Sequence, residues 1–118
     1  MAKDRYPEGS FGALLSQLIK SQGFTQTRFL QEMGISKTYL FDIFHGRVKA
    51  PNGRMQLRMA EVLHLTGEVR AGFLDSAAEA RGEVPADIRL QLQLDSALRA
   101  RIREQIDYPR LTEGGGED

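Results

Sequence analysis

The first half of the chain repeats apolar residues with the period of a helix. Phe11, Leu14, Leu15, Leu18 and Ile19 fall at i, i+3, i+4, i+7 and i+8, one face of a helix over about residues 11–22. Gly23 is suited to stop it, and Thr25 to cap a second helix. Phe29, Leu30 and Met33 share one face of that second helix. Gly34 then predicts a tight turn, and Ser36 offers a hydroxyl to the orphan N–H groups of a third helix. Leu40, Ile43 and Phe44 form the apolar stripe of that third helix, which ends at His45-Gly46.

Beyond a basic loop, RVKAPN, the pattern continues. A fourth helix starts near Gly53 or Arg54 and reaches about Leu65, with Met55, Leu57, Met59, Ala60, Leu63 and Leu65 as core candidates. Thr66-Gly67 is a break. A fifth helix, about Glu68 to Arg81, buries Val69, Phe73, Leu74 and Ala77, and Gly82 ends it. Pro85 fits the first turn of a sixth helix to about Gln93, with Val84, Ile88 and Leu92 inward. Asp95 caps a seventh, about Ser96–Asp107, with Leu98, Ile102 and Ile106 on one face. Pro109 closes it. No strand pattern and no repeat is present. The predicted organisation is all-α: a flexible arm over 1–10, a helical unit over 11–82, a small helical extension over 83–108 and a disordered tail over 109–118. Lys3 and Arg5 lie in the arm.

Composition narrows the chemistry. There are no cysteines, which excludes disulfides, thiolate metal sites and thiol catalysis. No apolar run approaches the ~18 residues of a membrane span. The opening MAKDRYPEGS has no apolar signal core, so a cytoplasmic location is expected. His45 and His64 are isolated, no His/Asp/Glu set has metal-ligand spacing, and no serine sits in a nucleophile motif. The triple glycine near the end precedes no predicted helix, so it is not a phosphate loop. The expectation is therefore no enzyme, no cofactor and no metal. A net charge of zero hides an asymmetry. Residues 1–58 carry nine Lys/Arg against four acids, a balance of +5, and residues 59–118 carry seven Arg against twelve acids, a balance of −5. A basic half suits a polyanionic partner.

The stretch TQTRFLQEMGISKTYLFDIFHG, Thr25–Gly46, combines two short helices, a glycine turn and a polar start to the second helix. From Gly23 through Pro51, with the fourth helix behind it, the chain resembles the Cro/C1-type helix-turn-helix family of phage and bacterial repressors. The likeness covers about residues 11–65. Gln26 opens the second helix where that family commonly has Gln. Gly34, Ile35, Ser36 and the Leu40/Ile43 pair fall in register, and Gly46 and Pro51 match its Gly and Pro after the recognition helix. Phe44 stands where many members have Glu, but lambda-repressor-like members place Phe there. AAEARGEVPADI resembles the C-terminal extensions of some bacterial regulators of the family. Leu30 departs from the pattern: the family prefers Ala there, and the added bulk, at roughly 1–3 kcal/mol for overpacking, predicts a spread helix pair. Tyr39 and Phe41 are expected on or near the outward side.

The resemblance implies a lambda-repressor-like five-helix bundle and a sequence-specific DNA-binding regulator, a repressor acting as a homodimer on an inverted repeat. Recognition helix 36–45 would enter the major groove, its twofold mate ~34 Å away. Lys37 and Thr38, in the first turn, would read base edges, and Asp42 would either accept from cytosine or pair with a Lys or Arg at the edge. Gln26 would bond a phosphate, aided by the helix end. Ser36, Tyr39, His45, Arg47, Lys49 and Arg54 are the further phosphate candidates, with packing inward the equal alternative for Tyr39. Phe73, Leu98, Ile102 and Ile106 are the candidate dimer or partner surface. Two rivals share the helical unit. One is an antitoxin whose acidic C-terminal half neutralises a protein partner through residues 83–108. The other is a protein-binding adaptor that has lost DNA reading, which Leu30, Phe41 and Asp42 would favour.

Overall fold

A computed structural model describes residues 6–115, with side chains to residue 113. The described residues form helices and connecting turns, with no strand. The helices are α1 (Phe11–Ser21), α2 (Gln26–Met33), α3 (Lys37–His45), α4 (Gly53–Val62), α5 (Gly67–Arg81), α6 (Ala86–Leu94), α7 (Ser96–Arg103) and α8 (Tyr108–Gly115). None is long and apolar enough to cross a membrane. The chain divides into two compact units between Asp87 and Ile88.

The first unit is built on capped helix starts. Ser10, Thr25, Ser36 and Asn52 each accept an N–H from the residue three positions on, at 3.0–3.1 Å. Such caps satisfy donors that the first turn of a helix leaves orphaned. α2 ends at Gly34, whose φ of +71° lets its N–H turn back to the Leu30 carbonyl at 2.8 Å. Other residues are strained in that conformation, so the turn into α3 takes only three residues.

α1 packs against α3 and α5, and α4 against α2 and α5. Phe11, Leu15, Ile19, Phe29, Leu40, Phe44, Met59, Leu63, Phe73 and Leu74 fill the middle. Leu30 is accommodated at the edge of this core, half-buried rather than enclosed. Tyr39 and Phe41, expected on or near the outward side of α3, are half-buried and packed against this core. α4 corrects the predicted core in one respect. Met55 and Leu57 are only half-buried, while Gln56 is enclosed at 2% exposure, because the stripe facing the core runs 56–59–60–63.

α5 corrects it in another. Thr66 to Gly72 is exposed throughout, Val69 included, and the helix meets the core only from Phe73 onward. Ala86 is buried with this unit, so it extends past the predicted boundary at Gly82. Val84 and Ile88, expected inward, are exposed.

The predicted flexible arm is corrected over residues 6–10. Tyr6 is half-buried against the core, its ring 5.0 Å from that of Phe44 and 4.8 Å from that of His45. Ser10 N–H closes a turn onto the Pro7 carbonyl at 3.1 Å. Lys3 and Arg5 lie outside the described residues.

The second unit holds most of α6 with α7 and α8. Arg99 of α7 donates to the carbonyls of Leu92 and Gln93 at 2.8 and 2.9 Å, capping the end of α6. Asp95 caps α7 as expected, accepting from Leu98 N–H at 2.9 Å. α7 stops at Arg103, short of the predicted Asp107. The predicted disordered tail is instead helical over Tyr108–Gly115. Pro109 falls in the first turn of α8, where a missing N–H costs nothing, and Asp107 accepts from Arg110 N–H at 3.2 Å. Among the described side chains from Ile88 onward, none is fully buried.

Candidate nucleic-acid interface

α3 places its polar residues by simple helical geometry. Leu40, Ile43 and Phe44 turn inward, which leaves positions 38, 42 and 45 on the opposite face and 41 at its margin, while Lys37 sits at the exposed start of the helix, above the inward stripe. Lys37, Thr38 and His45 are exposed, and Phe41 and Asp42 are half-buried beside them. The Lys37 ammonium lies 5.6 Å from the centroid of the Phe41 ring, so Phe41 gives the lysine a shelf. His45 packs edge-on against Tyr6 and 6.5 Å from Phe41. Tyr39 is half-buried against the core.

Asp42 is paired, as one of its two sequence readings had it: Arg47 Nη1 donates to Asp42 Oδ1 at 3.1 Å. The pair is at the surface, with the arginine side chain 60% exposed, so it is a weak tie that leaves guanidinium donors open. Gly46 ends α3, and Arg47, Val48 and Lys49 follow as an exposed run before buried Ala50 and Pro51. The side chains of Lys49 and Arg54 make no ion pair or hydrogen bond among the described residues.

The start of α2 presents a different resource. Thr25 takes the Arg28 N–H, which leaves those of Gln26 and Thr27 at the helix end. Ser36 is occupied by its cap, accepting from Tyr39 N–H at 3.0 Å. Two other cations of the unit, Arg28 and Arg58, are already committed. Arg28 lies 4.3 Å over the Phe24 ring and pairs with Glu32 at 3.0 Å, while Arg58 donates to the Glu32 carbonyl at 3.1 Å.

Three residues that shape this surface were not singled out in the sequence. Gly12 in α1 lies against the backbone of α3: a Cβ there would stand 2.4 Å from the carbonyl oxygens of both Ile43 and Phe44. Gln56 Nε2 donates to the Pro51 carbonyl at 2.7 Å, while its Oε1 has no partner among the described residues. Arg81 Nη1 donates to the Ala50 carbonyl at 2.8 Å. The 56–59–60–63 spacing is a signal that would have found Gln56. Gly12 and Arg81 carry no local signal, since both act across the fold.

The partner surface needs one correction. Phe73 is fully enclosed, 5.3 Å ring to ring from Phe11, and is a core residue. Leu98 and Ile106 are half-buried and Ile102 is exposed, on the second unit. Among the described residues no group of three or more His, Asp or Glu is placed to hold a metal ion. No protein-family model, curated protein or solved structure matches this chain.

Proposed function

We propose that this protein is a sequence-specific DNA-binding regulator, of the kind its resemblance to lambda-repressor-like helix-turn-helix proteins implies, with α3 as the recognition helix. The observation that carries the reading is the outward stripe of α3. Its first turn offers exposed Lys37 and Thr38, and an exposed basic run follows at its end. A helix of this kind fits the major groove, and side chains of its first turn reach base edges. Arg47, Lys49, Arg54 and the N-terminal end of α2 with Gln26 are the candidate grips on phosphate.

The second unit supports action as a dimer. Leu94 is 82% exposed, and Ile88, Leu90, Ile102, Tyr108 and Leu111 are exposed with it. Some 31 residues without one fully buried described side chain hold too little core to stand alone. A second copy would cover this surface and place two recognition helices on an inverted repeat. The same exposed residues favour one rival, in which a different protein covers them.

Selection of bound duplexes from a random pool by the full chain, with light scattering on the free protein, tests both parts. The expected results are an enriched inverted repeat with half-sites about one helical turn apart and a mass twice that of the chain. No enrichment, and no duplex binding at about 50 mM salt, where such contacts are strongest, would overturn the DNA reading. A monomeric mass with a tightly held protein partner would favour the rival.

A further inference from the structure

The basic run after α3 is fixed at both ends. At its start, Gly46 N–H bonds the Ile43 carbonyl at 3.1 Å and Arg47 N–H bonds the Asp42 carbonyl at 2.9 Å. At its end, two consecutive carbonyls are held by side chains from elsewhere. Gln56 takes that of Pro51, and Arg81, 31 residues away in the last turn of α5, takes that of Ala50. The Arg81 guanidinium is itself oriented: its Nε donates to Glu83 Oε1 at 3.1 Å. Val48 and Lys49 lie between these anchors, exposed.

The arrangement needs an arginine. A planar guanidinium directs Nη1 and Nε in different fixed directions, so one group holds a carbonyl and a carboxylate together. Its side chain is only 21% exposed, and these two donors face the protein. A loop pinned in advance loses less freedom when it grips a ligand, and that saving appears as affinity.

We propose that Arg81, oriented by Glu83, is a positioning residue for phosphate binding: it holds the Ala50 carbonyl and so sets the backbone from which Arg47 and Lys49 reach DNA. This rests on the DNA-binding reading above. The role differs from a direct contact, because Arg81 acts only through the loop.

The test is a double-mutant cycle with the full chain on a random-sequence duplex, joined to amide exchange. Arg81→Ala should weaken duplex binding about fivefold, the scale of one lost charge-assisted hydrogen bond. In a background carrying Arg47→Ala and Lys49→Ala the same change should cost less than about twofold, because contacts acting as a unit are not additive. Exchange of the Arg47 amide, which is bonded to the Asp42 carbonyl at the start of the run, should quicken about tenfold in Arg81→Ala while α1 amides keep their rates. Arg81→Lys, whose flexible ammonium lacks the two fixed donor directions, should weaken binding about threefold, between the native chain and Arg81→Ala, and Glu83→Gln should weaken it by about twofold. These milder variants carry the cycle if Arg81→Ala does not fold. A fivefold loss that persists in the double background makes Arg81 a direct contact and overturns the proposal. So do native affinity and native exchange in Arg81→Ala. If Arg47→Ala with Lys49→Ala weakens binding while the Arg81 variants do not, the DNA reading stands and the positioning role falls. If that pair has no effect on duplex binding, the phosphate grip itself fails.

Discussion

Replacing Gly12 by alanine adds one methyl group where α1 meets the backbone of α3. In most helices the change is favourable, by about 1 kcal/mol, because glycine gives up more chain entropy on folding. Here the new Cβ would lie 2.4 Å from the Ile43 and Phe44 carbonyl oxygens and 2.7 Å from the Phe44 carbonyl carbon. Carbon and oxygen ordinarily approach to about 3.3 Å at closest, so the two helices must separate by close to 1 Å. No side chain can rotate away to absorb this, since all three atoms are backbone. Overpacking of this kind costs roughly 1–3 kcal/mol, and backbone against backbone belongs at the upper end. Subtracting the propensity gain leaves a net loss of about 2 kcal/mol. Gly72 in α5 is the internal control. A Cβ there meets nothing within 4 Å, and its φ is not positive, so Gly72→Ala should gain about 1 kcal/mol. Thermal unfolding followed by circular dichroism should move in opposite directions, down about 8 °C for Gly12→Ala and up about 4 °C for Gly72→Ala. Denaturant titration supplies the free energies. A Gly12→Ala protein as stable as the native one would show that α1 and α3 are not in the close approach described, and the support behind α3 would be lost with it.

Asp42→Asn removes an acid from the α3 surface and releases Arg47, so binding to random duplex should tighten about two- to fivefold with a steeper salt dependence. Unchanged or weaker binding in a salt series would mean that Asp42 contributes directly. His64 follows α4 with φ at +58°, a conformation that costs a side chain about 1 kcal/mol or more, so His64→Gly should raise stability by about 0.5–1 kcal/mol in denaturant titration. A loss would give more weight to its ring contact with Phe24, 6.5 Å away.

The first four helices were legible because each carries both a periodic stripe and a chemical start signal. Thr25 and Ser36 cap as their positions imply, and Gly34 turns as a glycine must in that place. The outward stripe of α3 follows from the same periodicity, once Leu40, Ile43 and Phe44 are turned inward. What local pattern could not supply was tertiary. Val69 is apolar and in phase with Phe73, yet it lies on a part of α5 that no element covers. Pro109 reads equally as the end of one helix or the first turn of the next, and Asp107 decides for the second by capping α8. Tyr6 looked like part of a loose arm because nothing beside it in sequence reveals the Phe44 and His45 rings it meets. Gly12 and Arg81 do their work against residues about thirty positions away, a distance over which periodicity is silent.

DNA reading by α3 is tested most directly by comparing Lys37→Ala with Arg47→Ala on a selected site and on random duplex, across a salt series. Lys37 in the first turn should touch a base edge, so its loss should cost roughly 1–3 kcal/mol on the selected site, relax preference at one position per half-site and leave random binding nearly as before. Arg47, past the end of α3, should grip only the backbone, so its loss should weaken both duplexes alike and reduce the salt slope by about one. Equal losses on both duplexes for Lys37→Ala would make it a phosphate contact only. If neither change alters DNA binding, α3 does not read DNA.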